Sequence, residues 1–409
     1  MQRIRMSLPY FNDFDWEAEV IAVDEKHSSM IKDKLLMGSI PEGVKIHKVG
    51  AFSKQWTSKI GLGSLALRSL FQYKFYVNKL LSREHFDLIY FSTTEYPLSI
   101  LGAYWNKKFN IPYVIDIQDA WHTEYYKDKP KGERPKKYWF SYLLNKFLEP
   151  IAMKRVSGLI SVSEPYLRDL CKRYPYLNQR PKSIITFGAF KKDFEIANQN
   201  LKQSSIHLES AVNLVYVGRG GHDLEKSLSL VFKAFKLGLD LDFKNFNKIR
   251  FLFIGTSYAP PGQQIKTILP LAEKFGVSDY VVEQTQRIGF YDSLKLLQEA
   301  DGLLIPGSND AQYTASKIYP YILARKPLLA LFDVTSSAAK IIKKTNAGIV
   351  ANLRSETSID IVYQFMIERS TKRPFKVTTD WEIFDQYTAE NTTQQQCSLF
   401  NAVNNKATD

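Results

Sequence analysis

Residues 301–333 read DGLLIPGSNDAQYTASKIYPYILARKPLLALFD, and this stretch decides the fold. It holds two short, unbroken apolar runs, GLLIP and LLALF, each bounded by turn residues. Strands of a parallel sheet covered on both faces have that pattern. Between the runs, small and hydroxyl residues open a helix expected over Thr314 to Ala324, so the whole is a βαβ unit. Its loop lies at the carboxyl end of a strand and the start of a helix. Open α/β sheets bind ligands there, and free backbone N–H groups and the helix dipole favour an anion. Ser316 and Lys317 fall in the first turn of that helix. A lysine there opposes the dipole, which makes sense if a phosphate shares the site.

The same alternation extends in both directions. Ahead of it, strands are expected at 19–24, 45–52, 87–94, 113–121, 158–163 and 183–190. Helices are expected at 65–81, 97–108 and 138–155, with another capped by Ser163. The segment 191–211 is polar and reads as a linker. The pattern then restarts, with strands at 212–218, 249–257, 279–284 and 348–352 and helices at 224–237, 264–275, 290–300, 336–345 and 357–368. A last helical stretch covers 381–403. Alternation of this kind means doubly wound parallel sheets. The expected organisation is an α/β domain over 1–195, a second over 205–380, and a C-terminal helix and polar tail over 381–409 that packs back on the first domain.

The start is unusual. A doubly wound domain opens with a central strand, a Gly-rich loop and a helix. Here the first fourteen residues, MQRIRMSLPYFNDF, read directly as an amphipathic helix. Either the strand lies upstream or this protein lacks it.

Composition narrows the partners. A chain of 409 residues exceeds one ordinary core. Its net charge of +13 calls for an anionic partner. The basic residues are scattered and no nucleic-acid-binding motif is present, so nucleic acid fits poorly. Two cysteines, Cys171 and Cys397, are too few for a disulfide framework and point to a reducing, cytoplasmic compartment. No signal peptide and no membrane-spanning run is expected.

Several segments, in order, resemble the GT-B glycosyltransferases, specifically the retaining, nucleotide-sugar-dependent family 4. In the first half these are YVIDIQDAW (113–121), similar to a strand ending Asp-x-x-Asp-x-Trp, and FLEPIAMKRVSGLISVSE (147–164). In the second half they are LVYVGRGG, FLFIGTS and ASKIYPYILARKPLLAL. The resemblance implies two Rossmann-like domains facing a cleft, with the first strand of the N-terminal domain missing. It implies a donor diphosphate on the C-terminal domain, contacted by Arg219, with Gly218, Gly220 and Gly221 letting the backbone approach. Lys226 would be the second cation, and Ser316 and Lys317 would meet the distal phosphate. Asp119 and His122 would face the transferred sugar or the acceptor hydroxyl. No cofactor and no metal is implied, since the nucleotide sugar is a substrate.

The family also places a Glu at each end of an eight-residue step across the organising loop and helix. Gln312 and Pro320 stand there instead. Asn309 or Asp310 could take the sugar role, beside Thr314, and Glu283 could lie near the nucleoside. Pro320 is expected to kink the helix and free a carbonyl.

Residues 127–148 join a basic run, KDKPKGERPKK, to an aromatic helix, which suits an anionic membrane surface. The expected function is therefore sugar transfer from a nucleotide-diphosphate donor to a glycan or lipid-linked acceptor, in cell-surface polysaccharide synthesis. The alternatives are a nucleotide-sugar epimerase of the same fold and a non-catalytic binding protein.

Overall fold

The structure is a computed structural model. It describes residues 2–28, 33–60, 63–122, 124, 127–128, 130–131, 134, 137–260, 262–307, 316–355, 357–371 and 373–408. The chain divides into two compact units. Unit 1 comprises Met1–Lys32, Ile40–Gly188 and Ala389–Asp409, and unit 2 comprises Asp33–Ser39 and Ala189–Thr388.

Unit 1 runs α1 (Gln2–Ser7), β1 (Val20–Val23), β2 (Ile46–Val49), α2 (Lys54–Thr57), α3 (Leu65–Leu81), β3 (Ile89–Phe91), α4 (Ile100–Phe109), β4 (Tyr113–Ile117), α5 (Tyr138–Met153), β5 (Gly158–Ser161), α6 (Glu164–Arg173) and β6 (Lys182–Ile184). Strands β3-β4-β5-β6 form one parallel sheet, and β1 and β2 form a separate parallel pair. Every residue of β4 and β5 is buried, as their apolar, β-branched sequences require.

On one side of this layer, α3 and α4 contribute Val77, Leu101 and Trp105. Gly102 is needed there, because a Cβ would come within 2.5 Å of the Tyr113 ring and 2.8 Å of the Phe91 ring. Alanine ordinarily stabilises a helix interior over glycine. At this position Gly102→Ala is expected to do the reverse, costing about 1–3 kcal/mol of overpacking in a denaturant titration.

Unit 2 runs α7 (Lys191–Asn200), β7 (Val212–Val217), α8 (Glu225–Leu241), α9 (Phe243–Phe246), β8 (Ile249–Ile254), α10 (Leu269–Lys274), β9 (Val281–Gln284), α11 (Phe290–Glu299), β10 (Gly302–Pro306), α12 (Ile318–Leu323), β11 (Leu328–Phe332), α13 (Ser337–Lys344), β12 (Ile349–Asn352), α14 (Ser358–Ser370) and α15 (Trp381–Asp385). The last helix, α16 (Ala389–Thr408), returns to unit 1. Six parallel strands lie in the order β12-β11-β10-β7-β8-β9. Leu228, Val231, Phe232 and Phe235 recur at helical spacing along α8 and are buried. Their rings meet the sheet edge-on, with Phe235 to Phe251 at 4.9 Å between centroids.

The organising stretch forms the expected βαβ unit, with β10 and β11 paired in parallel and Leu303 opposite Leu328. Several local expectations need correction. The helix between those strands spans Ile318–Leu323 rather than Thr314 to Ala324, and residues 308–315 lie outside the described set. Pro320 therefore sits in the first turn, where no intrahelical N–H bond is lost and no kink follows. The N-terminal helix ends at Ser7, and a single 3₁₀ turn, Asn12–Phe14, follows. The segment read as a linker begins as a regular helix, α7, which buries Phe194, Ile196 and Ala197. The expected helix at 264–275 shrinks to α10. Ser163 occupies the cap position of α6, yet its hydroxyl makes no capping bond. The stretch 381–403 is two helices, and the polar tail continues the second of them to Thr408.

Candidate functional site

The first strand of unit 2, β7, ends at Val217, and the chain turns through Gly218-Arg219-Gly220-Gly221 before α8. Lys317, at the cap position of α12, reaches across to this turn. Its ammonium donates to the Tyr216 hydroxyl at 2.9 Å and lies 4.9 Å from the centre of that ring. The Tyr216 hydroxyl in turn donates to the Arg219 carbonyl at 2.9 Å. Gly218 makes this approach possible, since any Cβ there would overlap the Lys317 ammonium. Tyr321, one turn along α12, accepts from the Val217 N–H at 2.8 Å and fixes helix to strand.

Burial pulls the Lys317 ammonium down to about 8, and the nearby Arg219 and Arg287 guanidinium groups push the same way against Asp223. Three cations thus gather at the carboxyl end of β7, with Asp223 as the counter-charge. A buried ammonium among like charges is unfavourable in isolation. A strongly perturbed group of this kind makes the turn a candidate functional site. Arg219 is held by a bidentate pair with Asp223, at 2.9 and 2.5 Å. Its guanidinium is thereby oriented, and it remains partly exposed. Removing it with Arg219→Ala is expected to weaken diphosphate binding by about 1.5–3 kcal/mol, the range for a charge-assisted hydrogen bond. Titration calorimetry on the variant checks this.

The remaining expected donor-side residues divide. The Gly218 N–H donates to the Ile254 carbonyl at 2.9 Å and the Gly220 N–H to the Thr256 carbonyl at 2.8 Å. Those two amides are engaged with backbone, so these glycines provide room rather than anion donors. Lys226 is exposed on the first turn of α8, and the cation beside Lys317 is Arg287 instead. Arg287 follows β9 in a polar turn, with no motif around it, and the sequence reading missed it. Its guanidinium stacks 4.8 Å over the Tyr258 ring. Ser316 precedes α12 in a turn and is partly buried.

Glu283 is a correction. Its buried carboxylate accepts from Thr256 Oγ1 and from the N–H groups of Thr267, Ile268 and Leu269, at 2.8–3.1 Å. It caps α10, and those four donors leave it no role in holding a nucleoside. Asn309, Asp310, Gln312 and Thr314 lie outside the described residues.

In unit 1, β4 ends at Ile117, so Asp119 and His122 belong to the following loop rather than to the strand. Asp119 is exposed; its carboxylate accepts from the Ala120 N–H at 2.8 Å, and its backbone is pinned on both sides by the Tyr96 hydroxyl. His122 packs 4.8 Å from the Tyr142 ring, and burial lowers its pKa. Its Nε2 is buried with no hydrogen-bond partner among the described residues. Trp121 is core, stacked on Tyr96 at 5.3 Å. The strongest polar group of this edge is one the sequence reading passed over. Asp116 is fully buried and pairs with Arg3 Nε at 2.7 Å, while Gln118 donates to it at 2.6 Å.

Residues 54–184 match the model of Glycosyltransferase Family 4. By this segment and by its fold, the chain resembles the GT-B glycosyltransferases of family 4. No curated protein matches the chain by sequence. Among solved structures, sucrose-phosphate synthase from Thermosynechococcus elongatus is similar over 98% of this chain and 92% of its own, at 12% identity and TM-score 0.58. HepE from Anabaena, solved in complex with UDP, is similar over 98% and 94%, at 12% identity and TM-score 0.55. WaaG, a glycosyltransferase involved in lipopolysaccharide biosynthesis, is similar over 99% and 95%, at 16% identity and TM-score 0.50. At such identities the likeness is one of fold. The chain carries its cationic cluster at the first strand-to-helix turn of its second Rossmann-like domain, the place where doubly wound domains bind nucleotides.

Proposed function

We propose that this glycosyltransferase moves a sugar from a nucleotide-diphosphate donor to a glycan or lipid-linked acceptor, with retention and without a resident metal or cofactor, in cell-surface polysaccharide synthesis. The observation that carries the donor assignment is the buried Lys317 ammonium, held against Gly218 with Arg219 and Arg287 beside it. As the sugar departs, charge accumulates on the diphosphate. Fixed cations stabilise that charge with little reorganisation, which is electrostatic preorganisation. Asp119, with its exposed carboxylate, and His122, whose pKa is lowered by burial, are the acceptor-side candidates. Asp119→Asn then leaves donor binding intact and lowers turnover.

A peripheral contact with the cytoplasmic face of a membrane belongs to the same reading. Along α5, Phe140, Leu143, Phe147 and Ile151 recur at helical spacing and are exposed, while Tyr142, Leu148 and Met153 on the other side are buried. Lys137, Lys146 and Lys154 accompany the exposed stripe. An amphipathic helix of this kind suits an anionic bilayer surface. Among the described residues no helix is long and apolar enough to cross a membrane.

A thermal-shift screen against UDP, GDP, TDP, ADP and CMP, with and without Mg²⁺, tests the proposal. UDP leads the panel because HepE was solved with it. Stabilisation by one diphosphate, independent of Mg²⁺, is the expected result. Stabilisation without turnover of the matching nucleotide sugar would favour a non-catalytic binder. No stabilisation would overturn the donor assignment.

A further inference from the structure

Four aromatic side chains of unit 1 stand outside its core. Trp56 of α2 is 75% exposed and Phe75 of α3 is 73% exposed, and Phe52 and Phe71 are exposed as well. Phe71 and Phe75 are four residues apart and share one face of α3. Phe52 meets Phe71 edge-on, with ring centroids 6.4 Å apart. The backbone that carries Phe52 is held. Its N–H donates to the Arg68 carbonyl at 3.0 Å, and Arg68 Nη1 donates back to the Phe52 carbonyl at 2.6 Å. Arg68 is itself buried, so the loop before α2 is tied to α3. Exposed apolar clusters of this kind mark interaction surfaces.

The charge around them has one sign. No Asp or Glu stands between Glu42 and Glu84, or between Glu95 and Asp116. The first span holds α2 and α3, with Lys54, Lys59 and Lys79 exposed. The second holds α4, with Lys107 and Lys108 exposed. Lys59 lies 5.7 Å from the centre of the Trp56 ring, and Lys74 and Lys108 lie 4.6 and 5.9 Å from that of Tyr104. The same layer continues into α5. The core under α3 and α4 and the core under α5 both include Ile89 and Phe91 of β3, so the three helices cover one face of the sheet. α4 lies in the middle, packed on α3 and on α5. The one acidic residue of α5, Glu149, is buried against Arg173 at 2.9 Å. The outer surface of α3, α4 and α5 therefore carries no exposed carboxylate, and its two outer helices carry exposed apolar rows.

We infer that Phe52, Trp56, Phe71 and Phe75 form a second membrane anchor, and that unit 1 lies on an anionic bilayer through the whole α3–α4–α5 face. The inference rests on the membrane contact proposed above for α5 and extends it to the opposite flank of the helix layer. Charge selects the occupant. A second copy docked on this patch by two-fold symmetry would set the same lysines against one another. Anionic headgroups neutralise them instead. Aromatic rings settle at the headgroup boundary, and lysine stems lie along apolar surface while their ammonium groups stay in water. One anchor alone leaves the unit free to roll about α5. Two anchors with α4 between them fix which face meets the bilayer.

The test is flotation of the full chain with vesicles of phosphatidylcholine, alone or mixed with phosphatidylglycerol. The parent should bind the mixed vesicles, less as salt rises. Trp56→Ser combined with Phe75→Ser should bind them at least about tenfold more weakly, because each ring leaves water on binding. Both side chains are exposed, so this variant should keep the parent's urea midpoint. Leu143→Ser combined with Phe147→Ser, on α5, should also weaken binding. A milder variant gives a second reading. Lipids with brominated chains should quench the parent's tryptophan fluorescence more than that of Trp56→Phe, which keeps the patch apolar. If Trp56→Ser with Phe75→Ser binds like the parent, or if Trp56→Phe is quenched like the parent, the inference is overturned. Loss of binding in the α5 variant would then leave the α5 contact standing without it. A parent that binds neither vesicle overturns both.

Discussion

Lys317→Met is expected to make the protein more stable and to abolish most of its diphosphate binding. The ammonium sits in a largely buried position beside two guanidinium groups, and Tyr216 gives it one hydroxyl and a ring face. Below pH 8 it is charged in both folded and unfolded chains, and the folded state bears the full desolvation cost. Between about 8 and the ordinary 10.5, the folded chain releases the proton while the unfolded chain keeps it, so this group's contribution to stability rises with pH. The stabilisation from Lys317→Met should therefore be largest below pH 8, about 1–2 kcal/mol, and fade toward 10.5. Thermal melts of both proteins across that range check it. Diphosphate binding should move the other way. Loss of one charge-assisted bond of about 1.5–3 kcal/mol weakens affinity by roughly 10- to 100-fold. The wild type should itself bind more weakly as pH rises past 8. A stabilised variant that has lost its ligand is the signature of a functional cation rather than a structural one.

The second large effect lies in unit 1. Arg3 and Asp116 are almost completely buried, and the guanidinium also donates to two backbone carbonyls. Removing one partner leaves a buried charge unpaired, so Arg3→Met should cost about 3–5 kcal/mol. The double variant Arg3→Met with Asp116→Asn should recover much of that loss, because the stranded charge is gone. Tryptophan fluorescence in urea is a suitable probe. Of six tryptophans, Trp16, Trp56, Trp105, Trp121 and Trp139 belong to unit 1, and Trp381 belongs to unit 2. An Arg3→Met protein that unfolds at the parent's urea midpoint would show that the pair contributes nothing net.

The fold was legible because its signals are local. Runs such as VNLVYV and LLALF are short, apolar and bounded by turn residues, and each forms a buried strand. Helix ends were harder, since a boundary depends on packing as well as propensity. Gln264 to Ile268 has helix-compatible residues, yet its amides at 267 and 268 are taken by the Glu283 carboxylate and the helix starts at Leu269. The site was half legible. Lys317 and Arg219 stood in recognisable segments next to glycines. Arg287 and Arg3 did not, because each reaches its partners from a distant part of the chain. Asp116 was hidden inside a buried strand, where an acidic residue looks like an exception until Arg3 and Gln118 are seen around it.

The central claim is that the turn after β7 receives a nucleoside diphosphate on Lys317. Titration calorimetry of UDP, GDP, TDP, ADP and CMP into the wild type and into Lys317→Met, at near-neutral pH with and without Mg²⁺, tests it most directly. The account predicts that one diphosphate binds the wild type in either buffer and binds the variant at least about tenfold more weakly. Equal binding to both proteins, or binding of none of the five, would contradict it.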